Sequence, residues 1–417
     1  MPPAPSAGAL RCRQGTRTMI EQAAAAIGQD FNDSANDLGD DAVLAAITDA
    51  VPQAKFPIGF TMNAKGLHLE TDDGPRLLTG PFTVLAQTRD RYSQAWGLLI
   101  RWTDDDDQIH RIAIARSLLA GDGLAVRQLL IDGGLYVSPQ PRDRNALLQF
   151  LSLVKIDRRA RAVSRVGWSD GVFALPDRTI ESGTGDLVVY QGTAALDHEY
   201  RTKGTLQEWQ TGVARLAAGN SRVIVSLCAA LVGPLLEAVG AEGGGLHFRG
   251  ASSIGKSTAL NAAASVWGPP SFVRQWRSTA NGLEGIAELS NDSLLILDEL
   301  AQLDPKDAGS AAYLLANGCG KSRASQTGEA RAAKRWLTFF LSSGEISLAE
   351  HARSDGRGRR SPAGQEVRIL DIEAEAGKGL GLFDRLHHFN NGDELARAIK
   401  DGLRPRQGGR RKADATQ

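Results

Sequence analysis

The 417-residue chain has few cysteines, no charge imbalance and no long apolar run. Its three cysteines, Cys12, Cys228 and Cys319, form no CxxC pair. That argues against a disulfide framework and a cysteine zinc site, and it points to a reducing, cytoplasmic setting. Lysine plus arginine equals aspartate plus glutamate, at 48 each. Overall charge therefore gives no attraction to nucleic acid, and only a local field can supply one. The first 20 residues carry Arg and Pro without an apolar core, so no secretory signal is expected. The most apolar run, 223–236, is short for a bilayer and holds Pro234. A buried helix and no membrane partner are expected from it. Met19 is an alternative start, because the residues before it read as an unstructured leader.

Hydrophobic residues make up 42% of the chain, enough to exclude wholesale disorder and to fill two or three cores. Residues 1–50 read as a leader and a peripheral helical segment. Residues 51–195 alternate strand-like stretches with turns such as Asp72–Asp73–Gly74, which predicts an α+β N-terminal domain. No chemistry is legible in it. The acidic run Asp104–Asp107 is expected to cap a solvent-facing hairpin, since adjacent loop carboxylates ordinarily face water. A helix is expected over 144–155. Residues 196–240 read as connecting helices, 241–390 as a catalytic core, and 391–417 as a basic, disordered tail.

The chemistry starts at GASSIGKST, 250–258. It fits G-x-x-x-x-G-K-[ST], lies after a short apolar strand and opens a good helix-forming stretch. Gly250 and Gly255 let backbone amides turn inward around phosphates, and the helix N-terminus adds positive potential. Lys256 is placed to reach the β and γ phosphates, and Ser257 to hold Mg²⁺. Gly250, Ser253, Gly255, Lys256, Ser257 and Thr258 are the expected ATP-binding residues. A second signal is SLLILDEL, 293–300. Its unbroken apolar run suits a parallel strand covered on both faces. Asp298 then emerges at the carboxyl end, where such sheets bind ligands, and is expected to hold the magnesium ion. Glu299 is expected to polarise the attacking water.

Asn281 and Glu284 have capping-box spacing, which predicts a helix start there. Segment 320–335 carries Lys321, Arg323, Arg331, Lys334 and Arg335 against Glu329. It reads either as a solvated connector or as a hairpin that touches a phosphate backbone within a ring. The next apolar stretch, WLTFFLSSGE, predicts a buried strand whose Ser342 or Ser343 senses the γ phosphate. An arginine donated to a neighbouring subunit would come from Arg359, Arg360 or Arg368, each of which serves equally well as a surface ion-pair partner.

Several of these stretches, including GLHFRGASSIGKSTALNAAASVWGPP, LLILDELAQLD and YLLANGCGKSRA, resemble the Cch-like helicase family of mobile elements, the domain of unknown function numbered 927. GWSDGVFALPD, 167–177, is similar to that family's segment before the ATPase. The resemblance runs over roughly 50–390. It implies an α/β fold: an AAA+ type P-loop core with a parallel sheet, preceded by the α+β domain. It also implies ATP and Mg²⁺ as ligands, single-stranded DNA as partner and a homo-oligomeric ring. On this footing Lys256, Asp298, Glu299, Ser343 and Arg360 are the catalytic set, and Lys321 and Arg323 contact DNA. Family members usually continue into a lid or further domain, whereas about 40 residues follow the last core strand here. The expected function is an ATP-hydrolysing DNA motor, a replicative helicase-like protein. The alternatives are an ATP-dependent protein-remodelling factor and a nucleotide-binding remnant.

Overall fold

A computed structural model describes residues 54–180, 187–192, 198–320, 323–324, 330–331, 333–354 and 368–403. They divide into two compact units, one ending at His198 and the other starting at Glu199.

The first unit opens with an antiparallel meander of β1 (Phe60–Asn63), β2 (Gly66–Leu69) and β3 (Arg76–Thr79). Gly66 has φ +133°, and a Cβ there would lie 1.8 Å from the Thr79 carbonyl, so no side chain fits. The main sheet uses β4 (Thr83–Arg89), β5 (Gly97–Thr103) and β6 (Ile109–Ala115) as successive hairpins. Asp104 closes the β5–β6 turn, where its Oδ1 accepts from the amides of Asp106 and Gln108. Between β6 and the next strand lie α1 (Leu124–Asp132) and α2 (Pro141–Leu153). The second starts three residues before the expected 144, because Pro141 takes the first helical position, where no N–H is needed. β7 (Arg159–Val163) then joins β4 in parallel. β8 (Gly167–Ser169), β9 (Val172–Ala174) and β10 (Thr179–Ile180) form a small antiparallel sheet in which Trp168 meets Phe173 edge-on. β11 (Val188–Tyr190) completes the main sheet, whose order is β11-β7-β4-β5-β6.

The second unit is built on a wholly parallel sheet. Its strands are β12 (Gly244–Arg249), β13 (Arg274–Gln275), β14 (Leu294–Asp298), β17 (Phe339–Gly344) and β18 (Ile369–Glu373). Their spatial order is β13-β14-β17-β12-β18, and every neighbouring pair is parallel. β14 is buried at all five positions, as an apolar strand covered on both faces must be. A separate antiparallel pair, β15 (Arg323–Ala324) with β16 (Ala330–Arg331), forms a hairpin in the basic segment.

The helices of this unit are α3 (Ser221–Val239), α4 (Lys256–Ala264), α5 (Ala280–Leu289), α6 (Pro305–Asn317), α7 (Leu348–Arg353) and α8 (Gly392–Gly402). Trp276, Leu283, Leu295, Leu297, Phe340 and neighbours fill one core cluster between sheet and helices. α3 runs beyond 223–236 to 19 residues, long and apolar enough by length and composition to cross a membrane. It packs against the sheet: a Cβ on Gly233 would lie 2.2 Å from the Ser293 carbonyl. Pro234 has no N–H to donate to the Ala230 carbonyl one turn back. The indole of Trp267 donates to that carbonyl at 2.8 Å, which restores the lost hydrogen bond.

Two expectations need correction. α5 starts at Ala280, with Thr279 as N-cap accepting from the Gly282 amide, and not at an Asn281–Glu284 capping box. Glu284 is buried within the helix. Second, 391–402 is not tail: Asn391 caps α8 by accepting from the Glu394 amide, and Leu395 and Ile399 bury one face.

Candidate functional site

The parallel strands end at one edge of their sheet, and that edge gathers residues far apart in sequence. Gly250 (φ +152°), Ser253 (φ +62°) and Gly255 (φ +104°) carry the chain through a tight loop from β12 to α4. The Gly250 amide donates to the Gly344 carbonyl at the end of β17, which ties the loop to the sheet. Lys256 opens α4 and folds back across the loop. Its ammonium donates to the carbonyls of Gly250 and Ala251, both at 2.6 Å. Desolvation lowers its pKa below the ordinary lysine range, and the carboxylates of Glu345 and Asp298 oppose that shift.

Asp298 is the hub. The Ser257 hydroxyl donates to its Oδ2 at 3.2 Å. The Ser343 hydroxyl donates to its Oδ1, and the Glu299 amide donates to the same oxygen at 3.1 Å. The carboxylate is thus fixed by α4, by β17 and by its own following residue. Glu299 is exposed and left-handed, with φ +57°, a conformation that costs energy for a side chain of this kind. Gln302 donates its amide to the Glu299 carboxylate. The turn aims Glu299 outward beside Asp298. Among the expected ligand residues, Ser253 is exposed on the loop, whereas Thr258 is buried behind it.

Of the remaining expected residues, Lys321, Arg359 and Arg360 lie outside the described residues. Arg323 is described only as backbone, in the β15–β16 hairpin. Arg368 forms an ion pair with Glu242 at 2.5 Å, near the strand starts and away from the loop.

Two features escaped the sequence reading. The first is a polar chain buried beneath the loop. His247, fully buried on β12, contacts the Ser342 hydroxyl at 2.9 Å through Nδ1 and the Ile346 carbonyl at 3.0 Å through Nε2. A carbonyl only accepts, so Nε2 carries the proton and Nδ1 accepts from Ser342. Trp276 in turn donates its indole N–H to Ser342 at 2.8 Å. Burial pushes the pKa of His247 down to about 4, which keeps the ring neutral. Ser342 therefore locks the strand from one face while Ser343 holds Asp298 from the other. The second feature is a strap after β18. The Leu382 amide donates to the Ile254 carbonyl at 2.8 Å. A Cβ on Gly381 would sit 2.7 Å from the same carbonyl, so only glycine admits this approach. Past the strap, Asp384 accepts from the amide and hydroxyl of Ser221 at 2.6 and 2.7 Å and anchors the segment to α3. The run GKGLGLF, 377–383, was the available signal, since glycines at that density mark close backbone contact.

The DUF927 family model, a domain of unknown function, matches residues 59–335. The chain belongs to this family. No curated protein matches it. Among solved structures, this family member is similar in fold to the SCCmec type IV Cch active helicase, with a TM-score of 0.57 at 22% identity. The alignment takes in 82% of this chain and 62% of that one, so the chain spans less than two thirds of its structural relative.

Proposed function

We propose that this chain is an ATP-hydrolysing DNA motor, a replicative helicase-like protein of a mobile element, built on a P-loop core of the AAA+ kind. The observation that carries the reading is the convergence of two hydroxyls on Asp298. Ser257 comes from the loop helix and Ser343 from the strand between β12 and β14. A buried strand carboxylate beside a glycine loop, a lysine and a helix N-terminus is an arrangement for holding phosphate. Fold likeness to a helicase supports DNA as the partner.

The donor set fits Mg²⁺. The Ser257 hydroxyl and the Asp298 carboxylate are hard oxygens lying 3.2 Å apart, and magnesium takes one or two such protein ligands beside phosphate and water. When bound, the ion neutralises charge on the phosphate oxygens. The chain's own residues do the rest. Loop amides bind the phosphates of ATP, and the flexible Lys256 brings its charge to them. Glu299 takes the proton of the attacking water. Ser343 keeps Asp298 oriented. In a homo-oligomeric ring a neighbour's arginine, Arg360 among the candidates, adds positive charge to the transition state. Lys321 and Arg323 of the basic segment contact single-stranded DNA.

The test is ATP turnover by purified protein with and without single-stranded DNA, repeated for a Lys321→Ala/Arg323→Ala variant. Stimulation by DNA that the variant loses is expected. Turnover indifferent to DNA would favour the protein-remodelling alternative, and no turnover would favour a nucleotide-binding scaffold.

A further inference from the structure

The first unit carries a basic and aromatic patch that the nucleotide site does not use. It centres on the β4–β5 hairpin, 90–96. Asp90 shapes the turn by accepting from the amides of Tyr92 at 2.9 Å and Gln94 at 2.7 Å. Two non-glycine residues in this short loop, Ser93 (φ +59°) and Ala95 (φ +49°), are left-handed. A plain solvated turn would use glycine at such positions. At this tip Tyr92 is 67% exposed. The Arg91 guanidinium lies 4.9 Å from the centre of the Tyr92 ring. At the base of the hairpin the Trp96 indole donates to the Ser93 carbonyl at 2.8 Å, and the Arg159 guanidinium lies 5.7 Å from its ring centre.

Charge gathers beside these rings. The stretch KIDRRARAVSR, 155–165, carries Lys155, Arg158, Arg159, Arg161 and Arg165 against Asp157. Sheet register pairs Arg89 with Arg161 and Gln87 with Arg159, so these side chains share one face of the sheet. Three acids lie nearby: Asp90 is engaged in the turn, Asp170 pairs with Arg161, and Asp157 pairs with Lys55 at 3.5 Å. In a chain without net charge, this is a local field of one sign.

We infer that this patch, with Tyr92 and Trp96 as stacking rings and Arg89, Arg91 and Arg159 as phosphate contacts, binds single-stranded nucleic acid. Interleaved rings and guanidinium groups match a strand whose unpaired bases offer flat faces and whose backbone offers regular negative charge. A duplex hides those faces in its stack. The patch belongs to the first unit and the β15–β16 hairpin to the second, and the patch shares with the proposed function only the nature of the partner.

The test uses the full-length chain without nucleotide and labelled oligothymidylate, followed by fluorescence anisotropy across a salt series. Because no ATP is present, the outcome does not depend on the hydrolysis reading. Tyr92→Ala is expected to weaken binding on the order of 5- to 150-fold. Arg91→Ala and Arg89→Ala should each flatten the dependence of log K on log salt by about 0.7. Tyr136→Ala removes a tyrosine 52% exposed elsewhere in the same unit and should leave binding unchanged. Wild-type protein that fails to bind the oligomer at low salt would overturn the inference. So would unchanged affinity and salt slope in the Tyr92, Arg91 and Arg89 variants. Equal affinity for a duplex of the same length would overturn the single-strand assignment.

Discussion

Each unit is organised around a five-stranded sheet, but the strands run differently and the consequences diverge. In the second unit all neighbours are parallel, so every strand delivers its last residue to the same edge. Gly250, Asp298 and Ser343 meet there from three strands. In the first unit, hairpins turn β4, β5 and β6 back and forth, and their ends alternate between edges. β11, β7 and β4 do run parallel, yet among the described residues no glycine loop, lysine and carboxylate meet at their ends. What the first unit offers instead is a face and a hairpin tip. Parallel topology concentrates chemistry at one edge, and antiparallel topology spreads a surface.

The sharpest way to break that contrast is to disable one edge residue. Glu299→Gln keeps the shape of the side chain but removes the proposed base. ATP turnover should fall by about 10²–10⁴-fold while nucleotide binding persists, as read by paired hydrolysis and binding assays. Native turnover in this variant would remove Glu299 from the mechanism.

A second probe uses pH. His247 titrates near 4 when folded, against an ordinary value of 6.5, so the unfolded chain binds its proton first as pH falls. Its contribution to stability is complete above pH 6.5 and declines toward pH 4, by about 3 kcal/mol in total. Denaturant midpoints measured between pH 7 and pH 4 should show this decline. His247→Gln should lower stability at pH 7 and remove that share of the slope. An unchanged slope would mean that the ring is not held neutral.

Two indole substitutions sharpen the comparison at a smaller scale. Trp267→Phe leaves the buried Ala230 carbonyl without its donor and should cost about 1–3 kcal/mol of stability. Trp102→Phe in the first unit removes the 2.7 Å bond to the Gly133 carbonyl and should cost a similar amount. The second substitution should leave ATP turnover of the folded fraction at the wild-type level, because Trp102 belongs to the unit without the proposed nucleotide site. Smallest of all, Thr279→Ala should destabilise by about 1 kcal/mol through loss of the α5 cap, measured by thermal melting.

What was legible in the sequence follows the reach of each interaction. The glycine loop is a local structure, so spacing alone was enough to place Gly250, Gly255, Lys256 and Ser257 between β12 and α4. Asp298 was legible because a strand buried on both faces must be apolar until it reaches the site. The partner of Ser343 was not, since nothing in WLTFFLSSGE says that its strand inserts between β12 and β14. The polar chain of His247, Ser342 and Trp276 was hidden for the same reason: its members lie up to 95 positions apart. α5 shows another limit. Thr279 and the Asn281–Glu284 pair both carry capping chemistry, and only burial of Glu284 decides between them. α8 was passed over although Asn391 and Glu394 have cap spacing, because the glycine and arginine composition beyond 401 dominated the reading.

The central claim is that Lys256, Ser257, Asp298 and Glu299 form one ATP-hydrolysing site. Magnesium-dependent phosphate release by the full chain, compared with Lys256→Ala, tests it most directly. Wild-type turnover that falls on the order of 10²–10³-fold in the variant is the predicted result. Equal turnover in both proteins would place hydrolysis, and the function argued from it, elsewhere.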